Sequence, residues 1–488
     1  MDPRTPVLVG GGQLNQRDEP KEPVDMMVDA IRLAARDAGA PGLAESVESV
    51  RVVNLLSWRY RDPGALVGER LGARVRHTVY TGAGGSHPQA LVNDAAEDIA
   101  AGRADIVVVC GAEAWRTRMA LKMAGERPRW TRQDEDVPEP ETRPEVPMRH
   151  ESEVLAGLDR PAHVYPLFEQ ALRISAGRSI KEHRSAIAEL WAGFSEVASR
   201  NPHAWSPHAQ SASDIEHATP ENRMVCWPYT KLMNSNNSVE QAAAVIVCSA
   251  EAAARHGVPR DRWVFLAAGA EGSDPAPVAA RRRLDGSAAI RYAGRLALEL
   301  AGIGLEDVGP VDLYSCFPSA VQVAARELGL PLDDPARPLT VTGGLTFAGG
   351  PWNNYSTHAI ATMIGEVRRT GRTGLLTANS GYLTKHAIGV YAPQPPGFFR
   401  RASVQAAVDV DPTVGIAMAH DGPAELEAWC VLFDRDGEPE RGMASLRLRD
   451  GRRTLASTTD PDLVTRLVTD EAEGTRARVC SDASFALV

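Results

Sequence analysis

One arrangement of parts occurs twice in this chain, and it constrains the fold more than any other feature. Gly84-Gly85 precedes a helical stretch from about Ser86 to Ala101, then Gly102-Arg103, then the strand Asp105-Ile106-Val107-Val108-Val109. Gly349-Gly350 also precedes a helical stretch, then Gly371-Arg372, then the strand Gly374-Leu375-Leu376-Thr377. The same order of turn, helix, turn and strand at two distant places predicts two similar βαβ-rich halves. The N-terminal region agrees. Pro6 to Val9 reads as a buried strand running into Gly10-Gly11-Gly12, Met26 to Ala38 has helical apolar spacing, and Val50 to Leu56 is a second strand. The triple glycine is not a dinucleotide loop, because Asn15 stands where GxGxxG needs its last glycine.

The texture changes between residues 116 and 235. An acidic, proline-rich run, Asp134-Glu135-Asp136-Val137-Pro138-Glu139-Pro140-Glu141, lies among helical patterns such as Ser185 to Ala198. This predicts a helical and loop insertion between two core segments, 1–115 and 236–397. Pro393-Gln394-Pro395-Pro396-Gly397 then reads as a linker that few contacts cross. Beyond it, Leu446-Arg447-Leu448-Arg449 alternates strictly, and Asp436-Gly437 and Asp450-Gly451 are hairpin signals. Residues 398–488 are therefore expected to form a small all-β domain, and a chain ending near residue 397 to fold alone.

Charge narrows the function. A formal net charge of −10 over 488 residues lacks the basic footprint of a general nucleic-acid or anionic-membrane binder. No apolar run approaches the ~18 residues of a membrane span. The start Met1-Asp2-Pro3-Arg4 leads into no signal core, and six scattered cysteines form no CxxC pair. The expectation is a soluble, cytoplasmic protein. His203 and His208 have irregular spacing and no carboxylate partners, so no metal site is expected.

Four stretches carry a resemblance. They are Gly84-Gly85-Ser86-His87-Pro88-Gln89-Ala90 with the strand ending Cys110-Gly111-Ala112-Glu113-Ala114; Val311-Asp312-Leu313-Tyr314-Ser315-Cys316-Phe317; Thr342-Gly343-Gly344 through Gly349-Gly350-Pro351; and Asn379-Ser380-Gly381-Tyr382. In this order they resemble the thiolase superfamily, near the sterol-carrier-type thiolases. With the β-rich tail, the chain is similar to thiolase-like proteins of type 1. The resemblance implies a thiolase fold, layered α/β/α/β/α, and the handling of acyl-CoA thioesters.

It also implies which residues to compare. The nucleophilic cysteine position falls on Gly84, the histidine of the family's Gly-His-Pro on Gly350, and the second cysteine on Asn379. Tyr314-Ser315-Cys316-Phe317 replaces the family's Asn-Glu-x-Phe or His-Asp-Cys-Phe. All four departures exclude the ordinary thiolase mechanism. The helix start at Gly84, Gly85 and Ser86 still offers backbone N–H groups to a thioester oxygen. The missing side chains are expected to leave an enlarged pocket, bounded also by Gly350, Asn379 and Ser380. Asn236 and Ser238 lie where related proteins pass the pantetheine arm; a polar turn before a helix explains them equally.

Replacement chemistry has several candidates. Cys316 is a nucleophile or a buried small hydrophobe. Ser315 beside Tyr314 is a relay without an identified base. His87 touches the pocket or is structural, and Lys385-His386 supply a cation or base or are loop residues. Asn353 and Asn354 cap or line the second helix. Two functions follow. The first is a divergent acetyl-CoA acetyltransferase-type enzyme using direct acyl transfer, aided by Tyr314, Ser315, Cys316 or His386. The second is a non-catalytic acyl-CoA or lipid-binding protein, or an accessory subunit of an acyltransferase. Coenzyme A or acyl-CoA is the expected ligand, with no tightly bound cofactor. A homodimer and a monomer both remain open, as does a protein partner for the tail.

Overall fold

The computed structural model describes residues 1–488. Its largest sheet runs, edge to edge, through His77–Tyr80, Ser49–Val52, Ile106–Ala114, Glu240–Ser249, Pro6–Asn15, Val264–Ser273, Lys385–Ala392, Thr373–Ser380 and Val308–Asp312. Within the sheet the two halves are joined by strand pairing at Val7–Phe265 and Leu8–Val264. Each half carries a parallel pair outward of this seam, Ser49–Val52 on Ile106–Ala114 and Thr373–Ser380 on Val308–Asp312. That matches the duplicated order of parts. Helices His87–Ala100 and Tyr355–Thr370 pack between the halves, while Pro23–Asp37 and Ala288–Ala301 cover the outer faces. The layering is α/β/α/β/α.

The triple glycine is a packing device. A Cβ on Gly12 would overlap the helix Pro23–Asp37 at Ala30 and Ala34, and one on Gly11 would stand 2.8 Å from Ala361 Cα in the central helix. A bare strand lets helices approach from both sides, which no larger residue permits.

The insertion contributes the helices Pro161–Ser175 and Ile180–Arg200, the latter started by a capping box between Ser179 and Glu182. The acidic run lies along the sheet's outer edge. Tyr80 N donates to Glu141 O at 2.8 Å and Glu141 N donates to Thr78 O at 3.1 Å. The edge strand His77–Tyr80 is thus closed by the chain itself.

The tail builds a second sheet, in the order Arg453–Thr458, Pro439–Arg447, Gly422–Phe433, Arg476–Val479 and Phe485–Leu487. It is sheet-built, as expected, and carries besides the nine-residue helix Pro461–Thr469. Asp460 caps that helix, and Leu463, Val464 and Leu467 bury one face. Two strands of the insertion, Met224–Trp227 and Tyr229–Thr230, extend this sheet, with Trp227 opposite Val431.

The linker does not end the core. After Pro393–Gly397 the chain returns as Arg400–Ser403 beside Val264–Ser273. Arg401 bonds Glu97 at 3.0 Å and Glu271 at 3.1 Å. Fully buried Arg453 holds both oxygens of Glu427, at 2.7 and 2.9 Å, and donates to the core carbonyl of Ala279 at 3.0 Å. Many contacts therefore cross the region where few were expected. No helix is long and apolar enough to cross a membrane.

Candidate functional site

Both central helices begin at one place. Asn353 Oδ1 accepts from Gly84 N at 2.9 Å, and its Nδ2 donates to Asn54 O at 3.0 Å. Gly350 N donates to Asn236 O at 2.9 Å, and Ser356 Oγ donates to Gly85 O at 3.1 Å. A Cβ on Gly85 would overlap the Tyr314 hydroxyl and stand 2.7 Å from Asn379 O. Four stretches remote in sequence thus converge on the start of the helix His87–Ala100. Ser238 is exposed and bonds only to Asn236 within its own turn, and the Ser86 side chain makes no cap bond.

The expected enlarged pocket is absent. A Cβ on Gly84 would overlap Ser380 Oγ and stand 3.1 Å from His87 Nε2. At Gly350 it would meet Asn237 Oδ1 at 3.2 Å and Leu345 O at 3.3 Å. Ser380 and His87 at Gly84, and Asn237 and the backbone at Gly350, have taken up the space of the missing side chains. A cleft of about 1160 Å³ lies beyond Gly82, where Asn54, Trp58, Arg59, Arg118 and Arg132 line it.

Strand pairing sorts the candidates. Asn379 sits opposite His386, and Ser380 opposite Lys385, so the two pairs face opposite sides of the sheet. On the first side, Asn379 Nδ2 donates to Tyr165 OH at 2.9 Å and lies 3.8 Å from Cys316 Sγ. Tyr165 stacks on Phe317 with centroids 4.5 Å apart. Burial pushes the Cys316 thiol up to about 12, outweighing Tyr165, the Phe317 amide and Asn379. It is a protonated thiol at neutral pH, and packs as the small hydrophobe. His386 Nε2 is 3.4 Å from Asp274 Oδ2, and Ser315 Oγ accepts from Leu345 N at 3.3 Å. Neither of these two side chains is turned toward Gly84.

The second side is different. Ser380 Oγ and His87 Nε2 flank the same point beside Gly84, and His87 Nε2, in a residue 4% exposed, has no partner. Burial, helped by Lys385 and Arg143, pushes His87 down to about 4 and keeps the imidazole neutral at pH 7. Lys385 Nζ donates to Ala83 O at 3.3 Å, and burial lowers its own pKa. The Gly85 and Ser86 amides donate to nothing within the protein. They open a helix of 14 residues, whose field favours negative charge there. Trp352, two residues beyond Gly350, holds φ at +48°, and Leu383 holds +55°. Such conformations cost about 1–3 kcal/mol each and concentrate at functional sites.

Tyr165 escaped the sequence reading, since nothing in the insertion's pattern singles out one aromatic among its core residues. Asn353 was legible as a helix cap but not as the bridge between Gly84 and Asn54.

The comparisons with known proteins fit this architecture. The thiolase-like protein type 1 additional C-terminal domain matches residues 403–484. Among solved structures, an acetyl-CoA acetyltransferase from Syntrophomonas wolfei is 16% identical, with a TM-score of 0.55, over 80% of this chain and 99% of its own. The dimeric peroxisomal thiolase of Saccharomyces cerevisiae is 14% identical, with a TM-score of 0.54, over 81% and 98%. These two likenesses show the fold alone. No curated protein matches the chain in sequence. A monomeric SCP2-thiolase-like protein type 1 from Mycobacterium smegmatis is 34% identical, with a TM-score of 0.86, over 100% of both chains. That identity, over the full length of both molecules, makes this chain a member of the SCP2-thiolase-like proteins of type 1.

Proposed function

We propose that this protein binds acyl-CoA thioesters and forms no acyl-cysteine of the thiolase kind. One observation carries the reading. The Gly85 and Ser86 amides stand unpaired at a buried helix start, beside a Gly84 that has no room for a side chain. Two adjacent donors in a helix field suit a polarised carbonyl oxygen. The thioester oxygen sits on these amides, and the pantetheine arm approaches along Asn236 beside Gly350. Tyr314, at 8% exposure and next to Gly85, is placed to touch the acyl group.

The test is a thermal-shift series with CoA and acyl-CoAs of several chain lengths, followed by peptide mass mapping. Acyl-CoA raises the melting temperature, and no cysteine carries an acyl group. A flat series at millimolar ligand would sink the reading. An acylated Cys316 would replace it with a covalent one.

A further inference from the structure

We propose that Ser380 is the nucleophile, and His87 the base, of a thioester-hydrolysis centre at Gly84. The substrate class rests on the acyl-CoA reading above; the nucleophile does not. Ser380 Oγ makes no hydrogen bond within the protein and points at the place where the thiolase cysteine would stand. His87 Nε2, buried and without a partner, lies 3.1 Å from that same place. The Ala83 carbonyl favours a proton on the ring, while Nε2 itself is left free. No hydrogen bond joins serine and histidine, and catalytic bonds commonly tighten only in the substrate complex. The unpaired Gly85 and Ser86 amides open the helix next to this spot, and the Tyr314 hydroxyl stands against the neighbouring Gly85. A nucleophile from the end of one strand thus meets a base and oxyanion donors from one helix start at Gly84.

The chemistry balances without any further reagent. Ser380 Oγ attacks the thioester carbonyl carbon, so a C–O bond forms and the C–S bond breaks. The hydroxyl proton passes to His87 Nε2 and on to the departing thiolate, releasing CoA thiol. Water then gives a proton to Nε2 and attacks the acyl-serine. The acid leaves, and Ser380 regains its proton. The amides hold the oxyanion in both steps. The acyl chain is short, because Ser380 Oγ at Gly84 and Asn237 Oδ1 and the Leu345 carbonyl at Gly350 crowd the space where a longer one would lie. Access runs past Ala83 and Lys385, beneath Glu145 of the insertion, whose side chain lies over Gly82.

The experiment uses the full-length protein with a small fluorophosphonate probe, read by intact mass and peptide mapping. Acetyl-CoA hydrolysis is followed in parallel by thiol release. One adduct is expected, on Ser380, absent in Ser380→Ala and forming about a hundredfold more slowly in His87→Asn. Hydrolysis falls in the same variants. Should Ser380→Ala prove unstable, Ser380→Cys keeps a nucleophile of similar size, and labelling by iodoacetamide then appears at position 380. An unlabelled Ser380, or labelling that ignores His87→Asn, overturns the proposal. If acyl-CoA stabilises the protein and no adduct forms, the nucleophile falls and the binding reading stands. If the adduct forms and no thioester binds, the reverse holds.

Discussion

Replacing Gly84 by cysteine restores the residue that the thiolase pattern expects, yet the new Cβ overlaps Ser380 Oγ and crowds His87. Overpacking of this kind costs about 1–3 kcal/mol. Gly84→Cys should therefore lower the melting temperature and show no thiolysis, while adding Ser380→Gly should recover stability. An unchanged melting temperature for the single variant would mean that the site is roomier than described. Gly350→Phe belongs to the same logic. An enlarged pocket would take a ring there with little loss of stability, but neighbours at 3.2–3.3 Å leave no space for one. At this scale, legibility divided by chemistry. The four converging stretches were readable because each ends a strand or starts a helix. Which of their side chains face inward was not, because that depends on strand parity. One residue separates Asn379, which faces Tyr165, from Ser380, which faces Gly84. Ser315 and His386 were natural candidates by residue type, and the pairing turns them elsewhere.

The tail is fastened to the rest by particular elements. Burial opposes the charged form of Glu427, but its bonds to Arg453 and Ser445, with Arg447 nearby, bring it down to about 2. The folded value lies below the ordinary glutamate value of about 4.3. This contribution to stability is present above about pH 4.3 and is lost as pH falls toward about 2. Urea titrations of the wild type and Glu427→Gln should differ near neutral pH and converge in acid. Parallel curves throughout would rule out the assignment. Truncation at residue 397 follows from the same elements. It strips the strand partner from Met224–Trp227 and the stacking partner from Trp227, whose ring lies 6.4 Å from Trp429. The expected product is insoluble or molten, with dye-binding apolar surface. A cooperative melt from that piece would contradict this. The linker's composition announced a boundary, but composition carries no information about strands that pair across it.

For the molecule as a whole, the acidic run has a role that its sequence concealed. It is largely exposed, as an acidic, proline-rich loop should be, and it also bonds to the outermost strand, His77–Tyr80, through Glu141. An edge already paired offers no template to a second copy. Sedimentation across a wide concentration range should show the mass of one chain, and a concentration-dependent dimer would argue against the edge as a block. The layered core, by contrast, was legible almost throughout. Duplicated order, helical spacing and glycine placement all follow from local rules, whereas edge closure and shared sheets are long-range.

The shared sheet also sets a timetable for synthesis. Trp227 leaves the ribosome roughly two hundred residues before Val431, the strand position it pairs with. At about 5–20 residues per second, the insertion's strands wait some ten to forty seconds without their partner. For that interval a half-finished apolar face is a target for chaperones, and for premature association with a neighbouring nascent chain. The last ninety or so residues are therefore the closing piece of the molecule, and a ribosome that stalls before them leaves a chain that cannot finish folding.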